Sequence, residues 1–125
     1  MNQDSIINLC HVFLFFPALC YLYYLGLKKR LNSTICRILM GVAITGILYH
    51  AFLIKQRLNT PEQYKIWVNL IHILMVAPVL FIIGYYGKET TRAFFEATLL
   101  LGFAALGYNI YNLFIQVTTV TGDST

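Results

Sequence analysis

The feature that most constrains this chain is a short pattern that occurs twice, 61 positions apart. An asparagine, a leucine and a histidine are followed six residues later by a proline, as Asn8, Leu9, His11 and Pro17 and again as Asn69, Leu70, His72 and Pro78. The same register continues without a gap and gives twelve identities between residues 5–55 and 66–116. Self-similarity at a fixed spacing is typical of duplicated structural units, so the pattern predicts two tandem repeats.

The composition indicates that these repeats lie in a membrane. Of the 125 residues, 58% are hydrophobic and 11% are charged, whereas soluble domains carry about 25% charged residues. Four apolar stretches, at about 6–27, 35–54, 66–86 and 93–117, each approach the ~20 residues that a helix needs to cross a bilayer. The prediction is an all-α membrane protein, a single domain over 1–125 with four transmembrane helices and a polar tail at 118–125.

The repeat predicts how the four helices are arranged. Each copy contains two spans, so the chain forms two helical hairpins that enter the membrane in the same direction and are related by a pseudo-twofold axis along its normal. Six of the nine Lys and Arg residues fall in or beside the loops at 28–37 and 87–92. The positive-inside rule therefore places these loops in the cytoplasm and both termini outside. Lipid is the expected partner, a homo-oligomer is possible, and nucleic-acid binding is not expected.

The repeated polar residues are the candidates for a site. Asn8, His11, Asn69 and His72 would lie at one depth around the axis, and three readings are open. They could line a pore or a solute pathway, where imidazole titrates in the physiological range. The two histidines could instead ligate haem from both sides. Alternatively, the amides and imidazoles only satisfy each other inside a structural or assembly component of a cellular or viral membrane. Our best prediction is the small pore or solute-conducting bundle.

Further residues have predicted roles in hinges, polar contacts and packing. Proline interrupts helix hydrogen bonding, so Pro17 and Pro78 are hinge candidates. A secondary polar level is predicted from His50, Asn109, Tyr111 and Asn112. Small residues that allow close helix approach in lipid are Gly41, Ala43, Gly46, Gly102, Ala104 and Gly107.

Catalysis is not expected, because the chain carries no motif of known enzyme chemistry. It lacks a Ser/His/Asp set, paired carboxylates, an HExxH motif and a glycine-rich phosphate loop. Cys10, Cys20 and Cys36 lie within or beside apolar spans without metal-ligand spacing, so no metal site is predicted and their redox state is left open.

One resemblance concerns mainly the second half. The segment from His72 to Pro78, the Ile83-Gly84-Tyr85 triplet and the segment from Leu101 to Tyr108 resemble small multispan proteins encoded by large DNA viruses of algae and protists. This resemblance implies a viral or virion membrane location and assigns no residue a role.

Overall fold

The computed structural model describes residues 2–122 and contains four long helices in this range. They are α1 (Gln3–Leu27), α2 (Ser33–Arg57), α3 (Pro61–Glu89) and α4 (Arg92–Gly122). All four are long and apolar enough to cross a membrane, which confirms the predicted fold class. The duplication is a separate prediction, and the fold class alone does not establish it.

Polar side chains define where three of the helices begin. The Asn2 and Asn32 side chains accept hydrogen bonds from the backbone N–H groups of Ser5 and Ile35, at 2.8 and 2.9 Å. Thr60 accepts from the N–H of Glu62, and Pro61 occupies the first helical position of α3. Such caps satisfy the unpaired donors at a helix start. They extend the helices beyond the apolar stretches that the sequence shows.

The most extensive helix contacts lie between the hairpins. α1 packs along α4, and α2 packs along α3, both antiparallel, while α3 touches α4 over a shorter region. A twofold axis that exchanges the halves converts the α1–α4 pair into the α3–α2 pair. This pairing does not establish the duplication, because within residues 2–122 the α3–α4 contact has no comparable counterpart between α1 and α2, despite the short loop that joins them.

The buried core lies at the end of the bundle near the loops after α1 and α3. Its members are Leu22, Leu25, Leu31, Ala43, Ala77, Leu80, Ile83 and Phe95. Ile83 is fully buried, whereas many large apolar side chains elsewhere face outward, including Phe13 and Leu100 at 74% and 71% exposure. In water such exposure would be costly, but in a bilayer these side chains are solvated by acyl chains.

Close helix approach depends on glycines that the sequence did not single out for packing. A Cβ added at Gly84 would lie 2.7 Å from the carbonyl oxygen of Cys36 in α2, and one at Gly26 would overlap the Phe95 ring in α4. Of the six predicted packing residues, Ala43 is buried and Gly102 packs against Phe16 and Leu19. The others face open space or the exterior in the single chain, namely Gly41, Gly46, Ala104 and Gly107.

α1 and α3 each contain a π-helical turn, and the two turns lie 61 positions apart in the sequence. These turns are His11–Phe15 and His72–Val76, and each begins at one of the repeated histidines. The Phe16 N–H bonds to the His11 carbonyl, and the Ala77 N–H bonds to the His72 carbonyl. Pro17 and Pro78 follow directly. A proline cannot donate to the helix, so a widened turn before it relieves both the missing bond and the ring clash.

Candidate functional site: a three-histidine cluster

The rings of all three histidines meet inside the bundle. The His11 and His72 ring centroids lie 5.9 Å apart with nearly perpendicular planes, so these two predicted site residues are in contact. His50 from α2 stacks on His72 at 4.1 Å with an interplanar angle of 19°. The cluster thus joins imidazoles from three helices.

Each imidazole is held through its Nδ1 atom. His11 Nδ1 lies 2.8 Å from the carbonyl oxygen of Ile7, and His72 Nδ1 lies 2.8 Å from that of Val68, four residues earlier in both cases. A carbonyl oxygen only accepts, so Nδ1 carries the proton in both rings. These two bonds are 61 positions apart, like the π turns that begin at the same histidines.

His50 is held by an asparagine on the neighbouring helix. Its Nδ1 lies 2.8 Å from Oδ1 of Asn69, whose Nδ2 faces the Lys65 carbonyl oxygen at 3.5 Å. With the amide in this orientation, Oδ1 accepts and His50 Nδ1 donates. Asn69 is only 2% exposed, so this bond satisfies a polar group deep in the bundle.

The hydrogen bonds leave the Nε2 atoms as the reactive positions of the cluster. With Nδ1 protonated, each neutral ring presents an Nε2 lone pair that can take a proton or a ligand. No side-chain nitrogen or oxygen in residues 2–122 is fully enclosed without a partner. The Nε2 atoms, which make no hydrogen bond there, are therefore accessible.

The geometry does not favour a metal centre. No group of three or more His, Cys, Asp or Glu residues within the described range could hold a metal ion. Stacking explains why, because the lone pairs of two nearly parallel rings do not converge on one point. Haem ligation by His11 and His72 gains no support from two clefts in residues 2–122, since neither cleft is lined by a histidine.

Asn8 differs from its repeat partner Asn69. It is 6% exposed, and its side chain makes no hydrogen bond to the rest of residues 2–122. The residue that corresponds to His50 in the repeat is Tyr111, which is 61% exposed and does not reach Asn8. The two asparagines predicted at this polar level are therefore not bonded alike. The Asn69 side chain accepts a hydrogen bond from His50, and no comparable bond to the Asn8 side chain is present in residues 2–122.

The predicted secondary polar level does not form one group. His50 lies in the histidine cluster, whereas Asn109 is 5% exposed and donates to the Ala105 carbonyl oxygen on its own helix at 2.6 Å. Tyr111 faces outward, and Asn112 is partly buried. The antiparallel packing of α2 on α3 explains the difference, because it brings position 50 opposite position 69 rather than beside α4.

The cluster lies between a charged surface and an apolar core. Towards the chain termini, Lys65 approaches Asp4 and Glu62 at 3.8 and 3.4 Å, and Arg57 approaches Glu62 at 3.9 Å. On the opposite side begins the core around Leu22, Ile83 and Phe95. The cluster is therefore flanked by ion pairs on one side and by buried apolar side chains on the other.

Comparisons with known proteins identify no family for this chain. No protein-family model, curated protein or solved structure matches the chain. The four apolar helices define an α-helical, multi-pass integral membrane protein.

Proposed function

We propose that this protein is a proton-responsive conducting bundle in which the three-histidine cluster controls an otherwise closed pathway. The observation that carries the proposal is the contact of three imidazoles from three helices, at the two places where π turns interrupt the helices. π turns inside α-helices are frequent at functional sites, and histidine changes charge in the physiological pH range.

Charge repulsion supplies the driving force for opening. Two protonated rings at the His50–His72 distance of 4.1 Å would repel each other by roughly 4 kcal/mol at an effective dielectric constant of about 20. The stacked arrangement therefore tolerates at most one positive ring, and a second proton separates α2 from α3 at this level. Protonation is favoured as the pH falls, so the pathway opens in acid.

The charged and titratable groups around the cluster act in the same direction or are neutralised. Arg57 on α2 and Lys65 on α3 are cations near the cluster, but each has a carboxylate partner within 4 Å. Tyr49 on α2 contacts the His50 ring at 5.3 Å, and Tyr108 on α4 contacts Trp67 at 5.6 Å. The nearby carboxylates, Asp4 and Glu62, lie within 4 Å of these cations, and no hydrogen bond joins either of them to a histidine ring in residues 2–122.

The apolar core is the proposed gate. Leu22, Ile83 and Phe95 fill the bundle on the far side of the cluster and exclude water in the closed state. Pro17 and Pro78 lie between the cluster and this core, in both helices that carry a π turn. Movement at these positions would link separation of the rings to opening of the core.

Flux through proteoliposomes tests the proposal. With a pH-sensitive dye suited to each pH inside and a potassium diffusion potential, the wild type is expected to conduct protons at least about tenfold faster near pH 4 than near pH 7.5, because the repulsion delays the second protonation below the ordinary imidazole range. A His11→Ala/His72→Ala variant is expected to lose this pH dependence, because the cluster then keeps only one imidazole. A matched Phe13→Ala/Leu74→Ala variant changes lipid-facing residues on the same helices and should retain it.

Two outcomes would contradict the conducting bundle. Wild-type liposomes that stay silent at every pH would favour the alternative, a structural or assembly component of a cellular or viral membrane. Equal loss of flux in the double histidine variant and in the lipid-facing control would show that folding, rather than the imidazoles, is being measured.

We also propose an orientation from the distribution of basic residues. The loop at 28–32 and the turn at 90–91 face the cytoplasm, and the termini and the connection at 58–60 lie outside. Asn32-Ser33-Thr34 is a glycosylation acceptor pattern in the cytoplasmic loop and is expected to remain unmodified in eukaryotic cells. A glycosidase-sensitive mass shift that disappears in Asn32→Gln would show that this loop lies outside, which is the opposite orientation.

A homo-oligomer and a viral membrane location stay predictions. The outward-facing Gly41, Gly46 and Gly107 are compatible with helix contacts between copies, since nothing lies within 4 Å of a Cβ built there.

A further inference from the structure

The structure contains a second polar region, a cleft at the outer end of the bundle. Its volume is about 710 Å³, and it is bordered by the first turns of α1, the last turns of α2 and the beginning of α3. Asp4, Arg57 and Glu62 line its outer part, and Ile7, Tyr49 and Leu53 line its deeper part.

The chemistry of the cleft changes with depth. On α2, Leu53 lies one turn below Arg57 and Tyr49 lies one turn below Leu53. On α1, Ile7 lies nearly one turn below Asp4. One turn corresponds to about 5.4 Å along the helix. The charged rim therefore falls at the headgroup level of a bilayer and the apolar floor at the beginning of the acyl region.

The cleft is open sideways because its two long walls do not pack together. α1 is held by α4 and α2 by α3, and within residues 2–122 the pair α1–α2 has no comparable contact. A molecule already in the membrane can thus enter between α1 and α2 without crossing the charged surface.

The charges at the rim are paired only loosely. Arg57 Nε lies 3.9 Å from a Glu62 oxygen and Lys65 Nζ lies 3.8 Å from an Asp4 oxygen, both beyond hydrogen-bond distance. Lys65 Nζ donates a long hydrogen bond of 3.4 Å to Glu62 Oε1, which leaves Oε2 and the Asp4 oxygens without one in residues 2–122. The Asp4 and Glu62 side chains are 54% and 56% exposed. A guanidinium can bind phosphate through two parallel N–H groups, and free carboxylate oxygens accept from an ammonium group.

From this arrangement we infer that the cleft binds a phosphate–ammonium zwitterion, supplied as the headgroup of an ethanolamine phospholipid seated between α1 and α2. Arg57 takes the phosphate, Asp4 and Glu62 take the primary ammonium, and Leu53 and Ile7 contact the upper acyl chains. A primary ammonium has N–H donors for the carboxylates, whereas a choline headgroup has none. This inference does not rest on the proposed conduction.

A lipid bound in the cleft would also contact residues that adjoin the histidine cluster. The Tyr49 ring contacts the His50 ring at 5.3 Å, and the Ile7 carbonyl oxygen holds His11 Nδ1. A lipid against Tyr49 and Ile7 therefore touches residues that position two of the three imidazoles.

Native mass spectrometry of the full chain, released from nanodiscs of equal phosphatidylethanolamine, phosphatidylcholine and phosphatidylglycerol, tests the site. The wild type is expected to retain phosphatidylethanolamine preferentially. Arg57→Gln should reduce this retention about tenfold, as for loss of a charge-assisted hydrogen bond. Lys55→Gln is the matched control, because Lys55 is an exposed basic residue on α2 that does not line the cleft, and it should bind like the wild type.

A second variant separates loss of the site from loss of the fold. Leu53→Trp fills the apolar floor without changing charge and should displace the lipid while the helical circular dichroism is unchanged. Displacement by soluble phosphoethanolamine would support the same site with a soluble source of the ligand. Equal retention by Arg57→Gln and Lys55→Gln, or equal binding of all three lipids, would overturn the inference.

Discussion

Replacing Gly84 with leucine is expected to separate α2 from α3 and to destabilise the protein severely. A Cβ at this position would lie 2.7 Å from the Cys36 carbonyl oxygen, 2.8 Å from Met40 Cγ and 3.1 Å from the Met40 backbone nitrogen. Two of these atoms belong to the backbone, so a rotamer change cannot relieve the clash. Overpacking typically costs about 1–3 kcal/mol, and we expect a larger loss here because a whole helix pair must move apart.

The measurement is unfolding of purified protein in mixed micelles, followed by far-ultraviolet circular dichroism as the SDS fraction increases. Gly41→Leu is the matched control, because nothing lies within 4 Å of a Cβ at Gly41. It replaces glycine in a helix and should be neutral or slightly stabilising. If Gly84→Leu unfolds at the same SDS fraction as Gly41→Leu, the close approach of α2 and α3 at Gly84 is incorrect.

Replacing His50 with alanine is expected to cost about 1–3 kcal/mol, because it leaves the Asn69 amide oxygen buried without its partner. Asn69 is 2% exposed, and the bond from His50 Nδ1 is 2.8 Å long. The substitution also removes the ring that stacks on His72. Tyr111→Ala is the control, since it changes the equivalent residue of the other repeat at a site that is 61% exposed.

A double-mutant cycle with Asn69→Ala isolates the bond itself. Polar pairs between membrane helices have shown coupling energies of about 0.6 kcal/mol on average and up to about 1.7 kcal/mol, and the upper part of that range is expected at this buried site. Unfolding in mixed micelles again provides the free energies. Additive effects of the two substitutions, or a His50→Ala variant as stable as Tyr111→Ala, would refute the pairing.

The sequence predicted the four spans because hydropathy and length are local properties. Predicted and observed helices agree in number and order, and they differ mainly at their ends. The structure extends α3 from the apolar stretch at 66–86 to Pro61–Glu89, because Thr60 caps the helix and Pro61 fits its first position. Charged and polar residues near a helix end lower the hydropathy without interrupting backbone hydrogen bonds.

The candidate site was only half predictable. The repeat register placed His11 and His72 at one depth, and their rings are in contact. His50 was instead assigned to a separate level with Tyr111, its repeat partner. Its contact with His72 and its bond to Asn69 depend on how α2 slides and rotates against α3, and no local pattern encodes that register.

By itself, the sequence determined that this chain forms four membrane-spanning helices and that each half carries an asparagine, a histidine and a proline at matched positions. Backbone groups in lipid must pair within their own segment, so apolar length alone leads to helices. Only the tertiary structure decided that Asn69 is paired while Asn8 is not, and that Gly84 rather than Gly41 lies at a close helix contact. Those outcomes depend on the distances between helices. Side chains that are far apart in the sequence determine these distances jointly.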